Sequence, residues 1–172
     1  MTDRRSTERL ADGPRTLGRL MPKSRAVYSK ALDLIGGKVP VTEEDVARLR
    51  AVYEAMRSGD VMPLAELMDE KIRWIGSDRF GDPPPECNGR EEASAVLKRA
   101  VKRMPAGDIE SVAIAGDRIL AVAYWHEDQG PPGVERVYNL LTMRDGRIVK
   151  MEDFFDRSAA ERAFSGTESG QA

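Results

Sequence analysis

Residues 134–156 read VERVYNLLTMRDGRIVKMEDFFD, and this stretch decides the fold class. At its centre, Asp145-Gly146 is the strongest turn signal in the chain, because both residues tolerate the positive φ angles of a tight hairpin turn. The flanking residues are rich in valine, isoleucine, leucine and aromatic side chains, which predicts strands over 134–144 and 147–155. The stretch is therefore predicted to be an antiparallel β-hairpin.

The hairpin is predicted to be the end of a longer β-meander. Two further strands are expected over residues 109–115 and 118–128, and the turn between them is signalled by Gly116-Asp117. After the hairpin, Asp156 is a suitable N-cap for a closing helix. The second half of the domain is thus expected to contain four consecutive antiparallel strands followed by one helix.

The first half of the domain is predicted to be mainly helical. Thr42 can cap a first helix with an apolar stripe, and a second short helix and a strand over 71–75 follow it. Residues 76–88 contain three consecutive prolines and are predicted to be a loop, after which Asn88 is expected to cap a helix over 90–104. Helices gathered before such a meander predict an α+β fold, with a curved antiparallel sheet packed on N-terminal helices.

The chain of 172 residues divides into three predicted parts. Residues 1–40 hold nine basic and four acidic residues, whereas the remaining 132 hold 18 basic and 25 acidic ones. We expect residues 1–40 to be a basic, largely disordered arm with a possible short helix over 24–35. This arm is either a solvated tail or a contact for a partner. Residues 41–165 are the folded domain, and 166–172 are a frayed tail.

Composition argues against several functional classes. The net charge of −2 disfavours a nucleic-acid partner, and no apolar run approaches the ~20 residues of a membrane span. The N-terminus lacks the apolar core of a secretory signal, so we expect a reducing, cytoplasmic setting. One cysteine, Cys87, and one histidine, His126, exclude a cysteine- or histidine-rich metal site. Since no phosphate-binding loop or dinucleotide fingerprint occurs either, we expect no metal and no cofactor.

The last predicted strand contains the strongest catalytic candidate. Strand alternation places Asp153 on the same face as Met151 and Phe155, so it is a carboxylate on an otherwise apolar face. If this face lines a cavity, loss of water raises the pKa of Asp153 and makes it a general acid or base near neutral pH. The alternative is a structural ion pair with Arg136 or Arg147.

The strand predicted over 118–128 supplies two more candidates, His126 and Asp128. In a cavity with a carboxylate, His126 could shuttle a proton; otherwise it is a partly exposed histidine bonded to a loop. Tyrosines of the meander could donate to an oxyanion or be core aromatics. We therefore predict a catalytic set of Asp153, Asp128 and His126 and a substrate-contacting set of Tyr124, Tyr138, Trp74, Met151 and Phe155.

Three stretches of the sequence resemble the nuclear transport factor 2-like superfamily and, within it, the SnoaL-like proteins. The first is the apolar helix over 46–60, which ends in YEAMRSGD. The second runs from Trp74 through the proline-rich loop to Gly89-Arg-Glu-Glu-Ala93, and the third, the most specific, is RDGRIVKMEDFFD at 144–156. The resemblance covers about residues 43–164.

The resemblance implies a cone-shaped domain in which a curved sheet wraps around helices and encloses an apolar cavity. Such domains commonly form homodimers through the sheet, and we expect a small apolar molecule as ligand. The superfamily includes ketosteroid isomerase, SnoaL-type polyketide cyclases, limonene epoxide hydrolase and scytalone dehydratase, together with non-catalytic binding and dimerisation modules. The fold alone therefore does not decide the function.

The resemblance also suggests roles for individual residues. Asp153 matches an essential aspartate of limonene epoxide hydrolase, and Asp128 matches the aspartate of its Arg-x-Asp pair, where His126 replaces the arginine. Trp74-Ile-Gly76 stands where that family has Tyr-x-Asn, so the set that positions water is incomplete. SnoaL-type cyclases need only a single aspartate as acid and base, and the resemblance implies that Asp153 or Asp128 could serve. Scytalone dehydratase relies on two histidines, and this chain has one.

Two hypotheses follow from the sequence. The first is a cofactor-independent isomerase, cyclase or hydrolase that uses Asp153 as its acid or base, assisted by Asp128 and His126. The second is a non-catalytic ligand-binding or dimerisation module whose basic arm contacts a partner.

Overall fold

A computed structural model describes residues 39–80, 84–126 and 129–166 of the chain, with the backbone alone at Phe80. The predictions for the basic arm up to residue 38, for the tail after 166 and for Asp128 lie outside these residues. No helix in the described ranges is long and apolar enough to cross a membrane.

The described residues form four helices and a six-stranded, curved, open sheet. The elements are α1 (Glu43–Arg57), α2 (Met62–Leu67), β1 (Met68–Ile75), a 3₁₀ turn (Asp78–Phe80), β2 (Glu86–Asn88), α3 (Arg90–Arg103), β3 (Asp108–Ala115), β4 (Arg118–Tyr124), β5 (Arg136–Arg144), β6 (Arg147–Phe154) and α4 (Arg157–Ser165). The strand order is β2-β1-β6-β5-β4-β3. The predicted α+β class is confirmed, with the addition that β1 runs parallel to β6, so the sheet is mixed.

Helix α1 begins where its sequence predicts and points one face at the sheet. The Thr42 hydroxyl accepts a hydrogen bond from the Asp45 backbone, and the Asp45 carboxylate accepts one from the Thr42 backbone at 2.9 Å. This reciprocal capping box satisfies two N–H groups that have no partner within the helix. The buried face of α1 contains Leu49, Val52, Tyr53 and Met56.

The loop predicted over residues 76–88 is shorter than expected, because its end forms β2 (Glu86–Asn88) against β1. The prediction that Asn88 caps α3 is wrong. The N-cap is Gly89, with a φ of 99°, a backbone conformation that favours glycine. The Gly89 N–H donates to the Ile72 carbonyl at 2.7 Å, so this tight turn carries the chain directly from β2 into α3.

The sheet separates two packing layers, which we name by their faces. The inner face packs against α1 and α3 and carries the main core, including Ile119, Ala121, Leu141, Ile148 and Met151. The outer face carries α4, which covers a smaller cluster of Leu120, Leu140 and Ala160. The three strands that α4 contacts, β4, β5 and β6, therefore supply side chains to two different environments.

A bulge in β6 changes the predicted alternation. The register between β5 and β6 shifts, leaving Val149 as an extra residue on β6. Ile148 and Met151 are consequently both buried in the inner-face core, although strict alternation predicts them on opposite faces. Beyond the bulge alternation resumes, and Asp153 lies on the inner face with Met151, as its register partner Asn139 shows.

Candidate functional site

Asp153 is held from both sides by neutral donors. Trp74 Nε1 donates a hydrogen bond to Asp153 Oδ2 at 2.8 Å, and Asn139 Nδ2 donates one to Asp153 Oδ1 at 2.6 Å. Trp74 belongs to β1 and Asn139 to β5, the two strands on either side of β6. The strand order therefore fixes the position of this carboxylate.

A further hydrogen bond connects this carboxylate to helix α1. The Tyr53 hydroxyl donates to Asn139 Oδ1 at 2.6 Å, and both side chains are buried. We call Tyr53, Asn139, Asp153 and Trp74 the Asp153 network. Two of its members, Tyr53 and Asn139, were not among the sequence candidates, although an asparagine inside an apolar strand was a signal that could have revealed one of them.

Burial raises the pKa of Asp153 to about 6, and this effect outweighs the opposing effect of the two N–H donors. Asp153 is nevertheless only partly buried, so some of its surface stays accessible. Burial and the charge of Asp153 raise the pKa of Tyr53, which remains a neutral donor. Near neutral pH the carboxylate is therefore mostly ionised but able to take up a proton.

The ion pair weighed as an alternative for Asp153 does not form with either arginine. The Arg136 guanidinium forms a bidentate salt bridge with the Glu110 carboxylate, with hydrogen bonds of 2.8 and 3.0 Å. Arg147 donates to the backbone carbonyl of Glu66 at 3.2 Å. Both partners that Asp153 does have are uncharged, which leaves burial as the dominant influence on its pKa.

His126 makes its contacts with Asp108 and Tyr124 rather than with Asp153. It follows β4, which ends at Tyr124 and is shorter than the predicted strand, and it is exposed. Its Nε2 lies 3.2 Å from a carboxylate oxygen of Asp108, which also pairs with Arg57 at 2.5 Å. The structure therefore does not bring His126 and Asp153 together. The catalytic role predicted for His126 remains a prediction, as does that of Asp128.

The five residues predicted to contact substrate divide into two groups. Trp74 and Met151 lie beside Asp153 on the inner face. Tyr124, Tyr138 and Phe155 line an open depression of about 1100 Å³ together with His126. Only Phe155 of these three also packs against the inner-face core. Trp74 and Met151 are not among the residues that line this depression.

The described ranges contain no group of three or more His, Cys, Asp or Glu residues placed to hold a metal ion. Cys87 is buried, and its pKa is raised chiefly by that burial. A thiol in this environment stays protonated near neutral pH, and only the thiolate is a strong nucleophile or metal ligand.

The fold and the site together define an α+β domain with an open, curved sheet. The inner face of this sheet, which packs against the helices, carries Asp153, an acid with a raised pKa. The chain belongs to the family of SnoaL-like domains, whose family model matches residues 49–151. No protein of curated function matches the chain.

Solved structures with the same fold are similar over most of the chain. A nuclear transport factor 2-like protein of unknown function from Mesorhizobium loti is 22% identical, with a TM-score of 0.55, over 70% of this chain and 98% of its own. A protein from Jannaschia sp. CCS1 assigned as a SnoaL-like polyketide cyclase is 21% identical, with a TM-score of 0.54, over 74% and 96%. TerC, co-crystallised with polyporic acid, is 19% identical, with a TM-score of 0.53, over 70% and 98%. At these identities the likeness shows the fold.

Proposed function

We propose that this SnoaL-like domain binds a small apolar molecule against the inner face of its sheet and acts on it with Asp153 as general base and then general acid. The reaction class is a cofactor-independent isomerisation, cyclisation or hydrolysis. The observation that carries this proposal is the Asp153 carboxylate itself. It lies on an apolar face, is held only by neutral donors, and has a pKa raised to about 6 by burial.

The geometry supports a base whose plane is fixed before a ligand arrives. Trp74 and Asn139 each occupy one lone pair of the carboxylate, and each oxygen keeps another for a proton taken from a ligand. A pKa near the working pH allows the same group to return that proton in a second step. Carbon acids such as enolisable ketones fit this chemistry, and so do lactones and epoxides attacked by water. His126 and Asp128 take no step in this proposal.

A second candidate function is a non-catalytic binding or homodimerisation module. The observation that favours it is that both oxygens of Asp153 already have partners within the chain, so the Asp153 network is complete without a ligand. In this case the open depression lined by Tyr124, Tyr138 and Phe155 would be the contact surface. Homodimerisation through the sheet is then the expected association.

The test is a rate measurement on a panel of cyclic ketones, lactones and epoxides. Deuterium exchange at the α-carbon of the ketones, followed by NMR, detects proton abstraction even where no net product forms. We expect Asp153→Asn to lower the rate about 10²- to 10⁴-fold, the usual contribution of a positioned acid or base. Glu152→Gln is the matched control, because this neighbouring acid pairs with Lys150 at 2.9 Å and its register partner Leu140 lies on the outer face.

Two outcomes would contradict the enzyme proposal. One is an unchanged rate in Asp153→Asn. The other is binding of panel members by the wild-type protein without turnover or exchange, which would support the second candidate. Analytical ultracentrifugation of the wild type would then test homodimerisation directly.

A further inference from the structure

The amide of Asn139 has a defined direction, and that direction bears on Asp153. Its Oδ1 faces the Tyr53 hydroxyl and its Nδ2 faces the Asp153 carboxylate, both at 2.6 Å. Asn139 is 8% exposed and Tyr53 is 7% exposed, so water can replace little of either contact. Buried polar groups of this kind need partners within the protein.

The two ends of an asparagine amide are chemically different, since the oxygen only accepts and the nitrogen only donates hydrogen bonds. If Asn139 turned by half a revolution, its oxygen would face the carboxylate of Asp153. Two acceptors would then meet, and a bond could form there only with protonated Asp153. The orientation of Asn139 thus decides which protonation state of Asp153 is favoured.

The Tyr53 hydroxyl stabilises this orientation, because it donates to the Asn139 oxygen at 2.6 Å. Burial and the nearby charge of Asp153 raise its pKa, so it keeps its proton and remains a donor. With the amide turned, this hydroxyl would have to accept from the amide nitrogen instead, and the Asn139 oxygen would face the ionised Asp153, which only accepts. The amide nitrogen is thereby directed at Asp153, which receives its second donor from Trp74.

We infer that Tyr53 is a positioning residue for Asp153 that acts through Asn139: its hydroxyl orients the Asn139 amide and so holds Asp153 as a carboxylate ready to accept a proton. The catalytic meaning of this inference rests on the proposed function. The electrostatic relation itself does not, because it can be measured without turnover.

Other groups around the carboxylate do not supply this effect. Trp74 from β1 donates but does not titrate. Cys87 from β2, the register partner of Trp74, has a raised pKa and stays a neutral thiol in the range where Asp153 titrates. The charged α3 groups Glu92 and Arg99 influence Cys87 in opposite directions. Among the described residues, the Asn139 amide is therefore the hydrogen-bonded connection between Tyr53 and Asp153.

The experiment is a double-mutant cycle read by ¹³C NMR of the Asp153 carboxyl group. We expect Asn139→Leu to raise the pKa of Asp153 by about one unit, because the carboxylate loses a donor. Tyr53→Phe should raise this pKa by a smaller amount, because Asn139 is then free to turn. In the Asn139→Leu background, Tyr53→Phe should add no further shift. Tyr124→Phe, on the outer face, is the matched tyrosine control and should leave the pKa of Asp153 unchanged.

Two results would overturn the inference: no shift in Tyr53→Phe, or the same shift in both backgrounds, which would mean that Tyr53 acts without Asn139. Should the variants fail to fold, the wild-type protein provides the test. The side-chain ¹⁵N resonance of Asn139 must then titrate with the same midpoint as the Asp153 carboxyl carbon, and an unmoved resonance contradicts the inference.

The inference and the proposed function can fail separately. A confirmed cycle in a protein that turns over no panel member would support the network and contradict the enzyme proposal. If turnover is found, Tyr53→Phe should move the acid limb of the pH–rate profile to higher pH. A merely structural role would lower the rate equally at every pH.

Discussion

The two faces of the sheet shift the pKa of a carboxylate in opposite directions. On the inner face, neutral donors hold Asp153, and burial raises its pKa to about 6. On the outer side, the exposed Glu110 forms a bidentate salt bridge with the guanidinium of Arg136. This hydrogen-bonded cation lowers the pKa of Glu110. Both acids are well bonded, so bonding alone does not distinguish them. Burial and the charge of the partner decide which acid can exchange a proton near neutral pH.

The largest expected effect tests whether the inner face carries most of the stability. Ile119 is completely buried on the inner face, whereas its neighbour Leu120 lies in the small cluster under α4. We expect Ile119→Ala to lower the free energy of unfolding by about 2–5 kcal/mol, because it leaves a cavity in the main core. Urea denaturation of Ile119→Ala and Leu120→Ala measures the difference. An equal or larger loss in Leu120→Ala would contradict this ranking.

The next effect concerns the dependence of stability on pH. The pKa of Asp153 rises from 3.8 to about 6 on folding, so the folded state binds the extra proton between these values. Stability therefore falls as pH rises through this window, by about 3 kcal/mol for a shift of about two units. Asp153→Asn removes this titration. We expect the free energy of unfolding of the wild type to fall relative to Asp153→Asn between about pH 4 and about pH 7.

Parallel pH profiles of the two proteins would contradict the raised pKa. The difference should also persist at high salt, because the buried group is poorly screened. This persistence is what separates the inner-face carboxylate from its outer counterpart.

The contrast between the faces also explains which parts of the structure the sequence could predict. The α+β class and the caps at Thr42 and Asp156 depend on local patterns, and the structure confirms all three. Alternation along the last strand also predicted that Asp153 and Met151 share a face. The bulge at Val149 was missed, because it arises from the register of two strands and leaves no local signal of its own.

The partners of Asp153 were missed for a related reason. The bond from Trp74 to Asp153 spans 79 positions, and the bond from Tyr53 to Asn139 spans 86. Contacts of this range depend on which strands become neighbours, and the parallel pairing of β1 with β6 was not predicted. Periodicity can identify the face of a residue, but it cannot identify the residue that meets it across the sheet.

The smallest expected effect is at the outer face, where the dependence of stability on pH has the opposite sign. Because Arg136 lowers the pKa of Glu110 in the folded state, the contribution of Glu110 to stability is present above its unfolded pKa and is lost as pH falls through the folded pKa. Thermal denaturation of wild type and Glu110→Gln should therefore converge in acid and separate slightly above about pH 4. This direction is the reverse of the one expected for Asp153.

Salt provides the decisive control for this pair. Glu110 is exposed and Arg136 is partly exposed, so the difference between wild type and Glu110→Gln should be visible at about 0.01 M salt and vanish at about 1 M, where the screening length falls to about 3 Å. A salt-resistant difference would mean that the outer ion pair is shielded from solvent, as by a partner on this face. The carboxylates of the two faces would then no longer differ in burial. In that case, the absence of charge on the two donors of Asp153 would alone explain why Asp153 titrates near neutral pH.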